Sequence, residues 1–448
     1  MLIKFTCENF LSFGDGKNGF EFVNLAASKT KSLPSHVLDI SSEISVLRGA
    51  AIYGANAAGK SNFIKAIDFA RKLVLSSENI EKHNLGAFQN KFCKGKKSRF
   101  SFDFKLGDVI YEYGFEITSS EVIAEWLRST NLNGKREKTL FERDHQEIAS
   151  DKEIAAIVKK DKGADFYKYV KKAISPNQLF LNRLANDNVK FASDVLDWFK
   201  KIAFVRVFNH SIFFKKKELS EFATKLLKKI DRQIDEVSFD KAISIDKPSE
   251  IGLPQEASEG VFNHLLELYK AKKKEISVQI KDPKNNKKIY LSIDEKGIKQ
   301  FEILVIRKNK EFSLDQESDG IRRIFDLIPM LFAANSKNSE KLDSQSIFIV
   351  DEIEKSLHPF IAKEVVSMFL EFGTDCESQL IFTTHDTNLL DLELMRKDEI
   401  WFAEKDKNLN TKFTSLAEFK NIREDLVVSK GYLQGRFGAI PFIGKVGE

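Results

Sequence analysis

The chain has 448 residues, 42% hydrophobic and 31% charged, with 71 basic against 66 acidic side chains and a formal net charge of +5. That length and apolar content can bury two or three domains' worth of core, and the mild charge bias permits nucleic-acid contact without requiring it. Three unpatterned cysteines (Cys7, Cys93, Cys376) argue against a disulfide framework or zinc site, no uncharged apolar run reaches the roughly 18 residues of a membrane span, and the start MLIKFTCENF lacks a signal peptide's order, so a reduced cytoplasmic protein is expected.

In chain order, Leu2–Phe13 reads as a strand ending in a turn at Gly14–Gly16. Ser45–Tyr53 (SVLRGAAIY) is a short apolar run feeding the glycine-bearing stretch Gly54–Ser61. Ser61–Val74 then places Ile64, Ile67, Ala70 and Val74 at helical period. Arg99–Thr118 alternates around Gly107–Asp108 and predicts an antiparallel hairpin. Glu121–Ser249 reads as mostly helical and lysine-rich, with helices near Lys152–Ile174, Asp187–Ile202 and Lys217–Val237. Ser277–Ile306 returns to strands around polar turns at Asp282–Lys287 and Asp294–Gly297. Gly320–Phe332 is an amphipathic helix whose Pro329 predicts a kink. After a polar loop, Asn335–Ser346, come a strand at Ile347–Val350, a helix near Pro359–Phe372, a strand at Gln379–Thr383 and a last strand near Glu399–Ala403. The expected architecture is α/β: residues 1–120 and 302–448 form a core with a mixed sheet and an antiparallel β subdomain, interrupted by a mainly helical insertion, 121–301. The 39 phenylalanines read as aromatic core.

Gly54-Ala55-Asn56-Ala57-Ala58-Gly59-Lys60-Ser61 fits the phosphate-binding pattern G-x-x-x-x-G-K-[ST], with an apolar strand before it and an amphipathic helix, opening Ser61-Asn62, after it. The glycines let backbone N–H groups turn onto phosphates, and the helix start adds its positive dipole end. In this reading the loop, with Gly54, Asn56, Gly59, Ser61 and Asn62, binds ATP, Lys60 reaches the β- and γ-phosphates, and the Ser61 hydroxyl sits on Mg²⁺. Ser346–Glu352 is a buried strand ending in two acids. Asp351 is the candidate Mg²⁺ ligand, and Glu352 the candidate polariser of the attacking water. Leu380–Asp386 (LIFTTHD) is a further strand with a polar end, placing His385 where it could sense a γ-phosphate. In Glu317-Ser318-Asp319-Gly320, Ser318 is a candidate N-cap and Gly320 allows close backbone approach.

Taken in order, these pieces resemble an ABC-type ATPase head of the kind shared by chromosome-maintenance (SMC), RecF and double-strand-break-repair proteins. The resemblance implies that Ser318 and Gly320 bind the γ-phosphate of ATP held by a second subunit, giving a head-to-head homodimer with two shared sites. It makes Glu352 the catalytic base and His385 the switch histidine, and puts Glu354–Pro359 (EKSLHP) at the D-loop position. The signature is ESDG where the family has LSGG. Gln89 is the nearest candidate for the Q-loop residue, a surface glutamine being the other reading. More narrowly, Asn9–Phe13 (NFLSF), ESDG, DEIEKSLHP, TTHD and Tyr432–Pro441 (YLQGRFGAIP) resemble bacterial stand-alone ATPases of phage-defence systems, of the RloA/AbiL type, with the Septu and PARIS ATPases as relatives.

Too little chain follows His385 for a TOPRIM domain, and no HNH or HExxH motif stands elsewhere. An effector nuclease, TOPRIM-like or HNH, is therefore expected on a separate polypeptide. The insertion is too short and too poor in heptads for a chromosome-bridging coiled coil. Lysine clusters at Lys94–Arg99, Lys168–Lys172, Lys215–Lys217, Lys272–Lys274 and Lys281–Lys288, with Phe92, Tyr167 and Phe214 beside them, read either as solvated faces or as a track for nucleic-acid phosphates. Three functions follow: an ATP-driven sensor and scaffold in antiviral defence, a DNA-repair ATPase, or a transporter's ATPase subunit. The long insertion without a membrane-coupling helix disfavours the last.

Overall fold

The computed structural model describes residues 1–448 except 17–20, 31, 77, 133–136, 206–216, 240, 273–274, 283–287, 336–345, 372–376, 421, 423–426 and 441–448. Cys376, Phe214, Pro441, most of the 335–346 loop, most of the 282–287 turn and parts of three lysine clusters lie outside the described residues. The chain divides into two compact units: Met1–Phe204 with Ala333–Glu354 and Ala362–Glu448, and Val205–Phe332 with Lys355–Ile361.

In the first unit the chain runs through β1 (Leu2–Glu8), β2 (Glu21–Asn24), β3 (Val37–Asp39), β4 (Ser45–Leu47), β5 (Gly49–Tyr53), α1 (Lys60–Leu75) and α2 (Leu85–Phe88). Then come β6 (Ser98–Leu106), β7 (Val109–Ile117), β8 (Val122–Asn131), β9 (Glu137–Asp144), β10 (Glu147–Ala149), α3 (Lys152–Lys162), α4 (Ala164–Lys172), α5 (Phe180–Asn186), α6 (Lys190–Lys200) and β11 (Ile202–Phe204). The second unit contributes α7 (Lys217–Ile230), β12 (Glu236–Ser238), β13 (Ala242–Ile245), α8 (Gln255–Lys272), β14 (Ile276–Lys281), β15 (Lys288–Asp294), β16 (Gly297–Phe301), β17 (Leu304–Arg307), β18 (Lys310–Ser313) and most of α9 (Asp319–Ala334). The remainder is β19 (Ile347–Val350), α10 (Pro359–Glu371), β20 (Gln379–Thr383), β21 (Ile400–Lys405), β22 (Thr411–Ser415) and α11 (Val428–Leu433).

Two sheets organise the first unit. One has the order β11-β19-β20-β5-β21-β22, parallel except for β22. Its strands β5 (GAAIY), β19 (IFIV) and β20 (QLIFT) are buried at every position. That explains their unbroken apolar runs, since a parallel sheet is covered on both faces. The other sheet is antiparallel, in the order β10-β9-β8-β7-β6-β1-β2. Phenylalanines knit its inner face: Phe5 meets Phe102 at 4.7 Å between ring centres, and Phe104 stacks on Trp198 of α6 at 4.1 Å. Fully buried Gln379 at the start of β20 stitches the sheets together. Its amide accepts from Leu2 N at 2.6 Å and donates to the carbonyls of Leu2 and Leu47, each at 2.9 Å.

Two readings change. The stretch read as mostly helical from Glu121 onward opens with strands β8 (Val122–Asn131), β9 (Glu137–Asp144) and β10 (Glu147–Ala149). The stretch read as one helix, Lys152–Ile174, is α3 and α4, parted at Gly163 with φ 94°. In the second unit α9 continues through Pro329 without ending there. The four-stranded sheet β13-β16-β15-β14 packs on α8 around Leu265, Ile289, Leu291 and Ile298. Among the described residues no helix is long and apolar enough to cross a membrane.

Candidate active site

Three adjacent parallel strands deliver their carboxyl ends side by side. Val350 of β19 pairs with Phe382 of β20, and Thr383 of β20 pairs with Ile52 of β5. Ligands of open α/β sheets bind at such ends. Here they carry Gly54–Ser61, Asp351–Glu354 and Thr384–Asp386.

The loop after β5 is shaped by crowding. A Cβ on Gly54 would lie 2.5 Å from the Ala403 carbonyl of β21, and one on Gly59 would lie 2.0 Å from Thr411 Oγ1. Gly59 has φ 109° and Ala57 has φ 64°, both left-handed. Lys60, 8% exposed, folds back over the loop: its ammonium donates to the carbonyls of Gly54 at 2.6 Å and Ala55 at 3.0 Å. Burial pulls its pKa below the usual lysine value, against the opposing pull of Glu354, Asp351 and Glu352. The first turn of α1 holds no acidic residue and no side-chain cap, so its N-terminal amides and dipole are disposed towards an anion.

Asp351 is the hub of the acidic side. Its Oδ1 accepts from Ser61 Oγ at 3.1 Å and from Thr383 Oγ1 at 2.5 Å. The Thr383 hydroxyl in turn accepts from the Glu352 backbone N–H at 2.9 Å. Glu352 itself has φ 52°. A non-glycine residue in that region carries backbone strain, a recurrent feature of active sites. His385 is 60% exposed and is held by Glu354, whose Oε1 lies 3.0 Å from both the His385 backbone nitrogen and its Nδ1. Glu354 is 9% exposed, and its buried Oε2 has no hydrogen-bond partner among the described residues.

The structure therefore brings Gly54, Gly59, Lys60, Ser61, Asp351, Glu352 and His385 to one end of one sheet. Asn62 stands in the first turn of α1 and donates to Ser12 Oγ at 2.9 Å; Asn56 is exposed on the loop. Gln89 follows α2, and its amide donates to the Lys96 carbonyl at 2.8 Å. Ser318 and Gly320 stand in the second unit. The exposed Ser318 caps α9, its Oγ accepting from Ile321 N at 3.3 Å. A Cβ on Gly320 would sit 3.1 Å from the Ser356 carbonyl. Glu317 is spent within that unit on Arg307, which grips both its carboxylate oxygens at 2.9 Å and also binds Asp231. Sequence reasoning missed Thr383 and Thr411, and did not give Glu354 its bond to His385. Thr383 had a signal, a polar residue closing an apolar strand; Thr411 had none.

The donor set fits a nucleoside triphosphate: a tightly turned glycine loop, a buried ammonium and an uncapped helix start meet at one strand end. It also fits Mg²⁺. Among the described residues no group of three or more His, Cys, Asp or Glu could hold a metal alone, so an ion at Ser61 and Asp351 would complete its shell with phosphate and water oxygens.

A sequence profile of the family described as "AAA domain, putative AbiEii toxin, Type IV TA system" matches residues 50–391. No curated protein matches the chain. Among solved structures, the SMC head domain from Thermotoga maritima is similar at 12% identity over 92% of this chain and 98% of that one, with a TM-score of 0.40. A structure of the SmcHead bound to the C-winged helix domain of ScpA is similar at 14% identity over 92% and 97%, with a TM-score of 0.36.

Proposed function

The chain belongs to the AAA family described as putative AbiEii toxin, Type IV TA system, and its fold is that of an ABC-type P-loop ATPase head; from that premise we propose that it binds and hydrolyses ATP with Mg²⁺ as the sensor and scaffold of a bacterial antiviral, abortive-infection system. Its output is control of a separate effector, a TOPRIM-like or HNH nuclease. The observation that carries the ATPase reading is the meeting of Lys60, Ser61, Asp351 and Glu352 at neighbouring strand ends, with Thr383 bonded to both acids' residues.

Each group has a role in this reading. The loop amides and Lys60 bind the phosphates, Lys60 exchanging its loop carbonyls for them. Ser61 and Asp351 would hold Mg²⁺, whose contribution is to neutralise charge between the β- and γ-phosphates. Glu352 orients a water and takes its proton. Glu354 fixes His385 at the rim, where the imidazole meets the γ-phosphate. A second copy supplies Ser318 and Gly320 across a head-to-head dimer, so ATP occupancy is read out as assembly. Membership of a family described as putative AbiEii toxins of type IV toxin–antitoxin systems supports the abortive-infection context.

Two measurements test this. Purified protein should release phosphate from ATP slowly and in a Mg²⁺-dependent way, and Lys60→Ala should abolish release; equal rates in the two proteins would end the ATPase reading. Co-expression with each neighbouring gene should yield one co-purifying partner, and a chain that stays alone with every neighbour would remove the effector.

A second reading, a RecF-like ATPase acting on DNA, is favoured by exposed aromatics among lysines. Phe92 is 70% exposed between Lys91 and Lys94, and Tyr169 is 61% exposed between Lys168 and Lys172. It requires DNA-stimulated ATPase activity that falls steeply with salt. Activity flat across added DNA would dismiss it.

A further inference from the structure

The motifs at the two ends of the chain, NFLSF and YLQGRFGAIP, have no part in the chemistry above, yet both lead to the phosphate loop. From the N-terminal side, Ser12 Oγ accepts from Asn62 of α1 at 2.9 Å and is hydrogen-bonded to Thr411 Oγ1 at 2.7 Å. The backbone confirms the pairing, since Thr411 N donates to the Ser12 carbonyl at 2.8 Å. From the C-terminal side, Tyr432 and Phe437 both stack on Phe402 of β21, at 5.6 and 5.4 Å between ring centres. Tyr432 closes the motif on itself by donating to the Ala439 carbonyl at 3.0 Å. Phe402 pairs in register with Tyr53, and the carbonyl of the next residue, Ala403, is the atom that leaves Gly54 no room for a side chain. The motif thus fixes β21, and β21 pairs with β22, whose first residue is Thr411.

Thr411 is fully buried. Its hydroxyl donates to the Ala58 carbonyl, inside the phosphate loop, at 2.8 Å, and accepts from Lys405 Nζ at 3.2 Å. It also presses on Gly59 closely enough to exclude any Cβ there. With its carbonyl occupied by Thr411, the peptide following Ala58 has its N–H facing away from β22. Nothing else in the chemistry assigned above uses this hydroxyl.

We propose that Thr411 is a positioning residue for the phosphate-binding loop, and that Ser12 and the C-terminal motif hold it in place. The proposal rests on the nucleotide-binding reading of that loop. A residue that sets the loop backbone acts on ground state and transition state alike, so its loss raises KM and leaves kcat nearly unchanged. Valine keeps the shape and removes the hydroxyl; serine keeps the hydroxyl and removes the methyl.

The experiment measures ATP turnover, affinity for a non-hydrolysable ATP analogue with Mg²⁺, and melting temperature for wild type, Thr411→Val, Thr411→Ser and Thr411→Val with Ser12→Ala. Thr411→Val is expected to raise KM and the analogue's Kd about tenfold, with kcat within about threefold. Thr411→Ser is expected to restore both to within about twofold, and adding Ser12→Ala to cost no more than about a further twofold, because the two hydroxyls act as one unit. The proposal is overturned if Thr411→Val binds the analogue within twofold of wild type. It is equally overturned if Thr411→Ser is as weak as Thr411→Val, which would make the methyl's packing the cause. A Lys60→Ala protein that binds the analogue as well as wild type would instead overturn the nucleotide reading, and the proposal with it.

Discussion

Thr383→Val isolates what one hydroxyl does for the acidic end of the site. Valine has nearly the same shape, so the fully buried position keeps its packing. What it loses is a bond of 2.5 Å to the Asp351 carboxylate and the acceptor, 2.9 Å away, for the Glu352 N–H. A hydrogen bond to a charged group contributes about 1.5–3 kcal/mol, and a buried N–H left unpaired costs about 1–3 kcal/mol. Ser61 still reaches Asp351, so the expected destabilisation is about 3 kcal/mol and not the sum of the upper limits. The second effect is on function. Glu352 is held at φ 52° partly by that bond, and a residue in that region relaxes when released. A displacement of the Glu352 carboxylate by about 1 Å would lower kcat about 100-fold. KM for ATP should change little, because the phosphate loop is untouched. Urea unfolding and steady-state ATPase measurements together decide the matter. A variant within about 1 kcal/mol of wild-type stability and threefold of its kcat would refute the reasoning.

Two other predictions concern the antiparallel sheet. Burial pushes Asp103 of β6 from 3.8 up to about 6, with Glu112 adding to the rise and Lys4 opposing it. The folded state then holds this proton more tightly than the unfolded chain, so stability declines as pH rises from about 4 to about 6 and stays lower above. Asp103→Asn should be more stable than wild type by about 2 kcal/mol at pH 7.5, after allowing for partial exposure, and indistinguishable below about pH 4; urea titrations at both pH values check this. Glu125 and Arg143 form a pair, 3.5 Å apart, whose side chains are wholly buried, with Arg143 also bonded to the carbonyls of His145, Ser175 and Gln178. Arg143→Met leaves the buried Glu125 carboxylate without its counter-charge, although Tyr113 and the Phe180 and Leu181 amides still donate to it, and should cost about 3 kcal/mol in the same assay.

The parallel core was legible because its strands are buried on both faces. IFIV and QLIFT could be read as they stand, and their polar ends marked the site. The loop at Gly54–Ser61 was legible because phosphate binding demands glycines at fixed spacing. β8 was not, and the reason is local. An extra residue, Ile123, interrupts its register against β7, and its buried positions, Val122, Glu125, Trp126 and Leu127, do not alternate, so no period of two survives. The break at Gly163 was hidden by apolar residues that continue at helical spacing on both sides of it. At the site, Thr383 lay within a quoted strand end, but its bonds to Asp351 and the Glu352 backbone depend on two strands being neighbours. Thr411 is an isolated threonine far downstream of the loop it touches, and no pattern in the sequence points from one to the other.

The most direct test of the account is Glu352→Gln, examined by light scattering on a sizing column with and without Mg²⁺–ATP. The substitution removes the proposed base and keeps the phosphate loop, Ser61 and Asp351. The account predicts turnover reduced at least about 100-fold, ATP retained on the protein, and a dimer that forms with ATP and dissolves on its removal. Wild-type turnover in this variant, or a mass that does not respond to ATP, would contradict it.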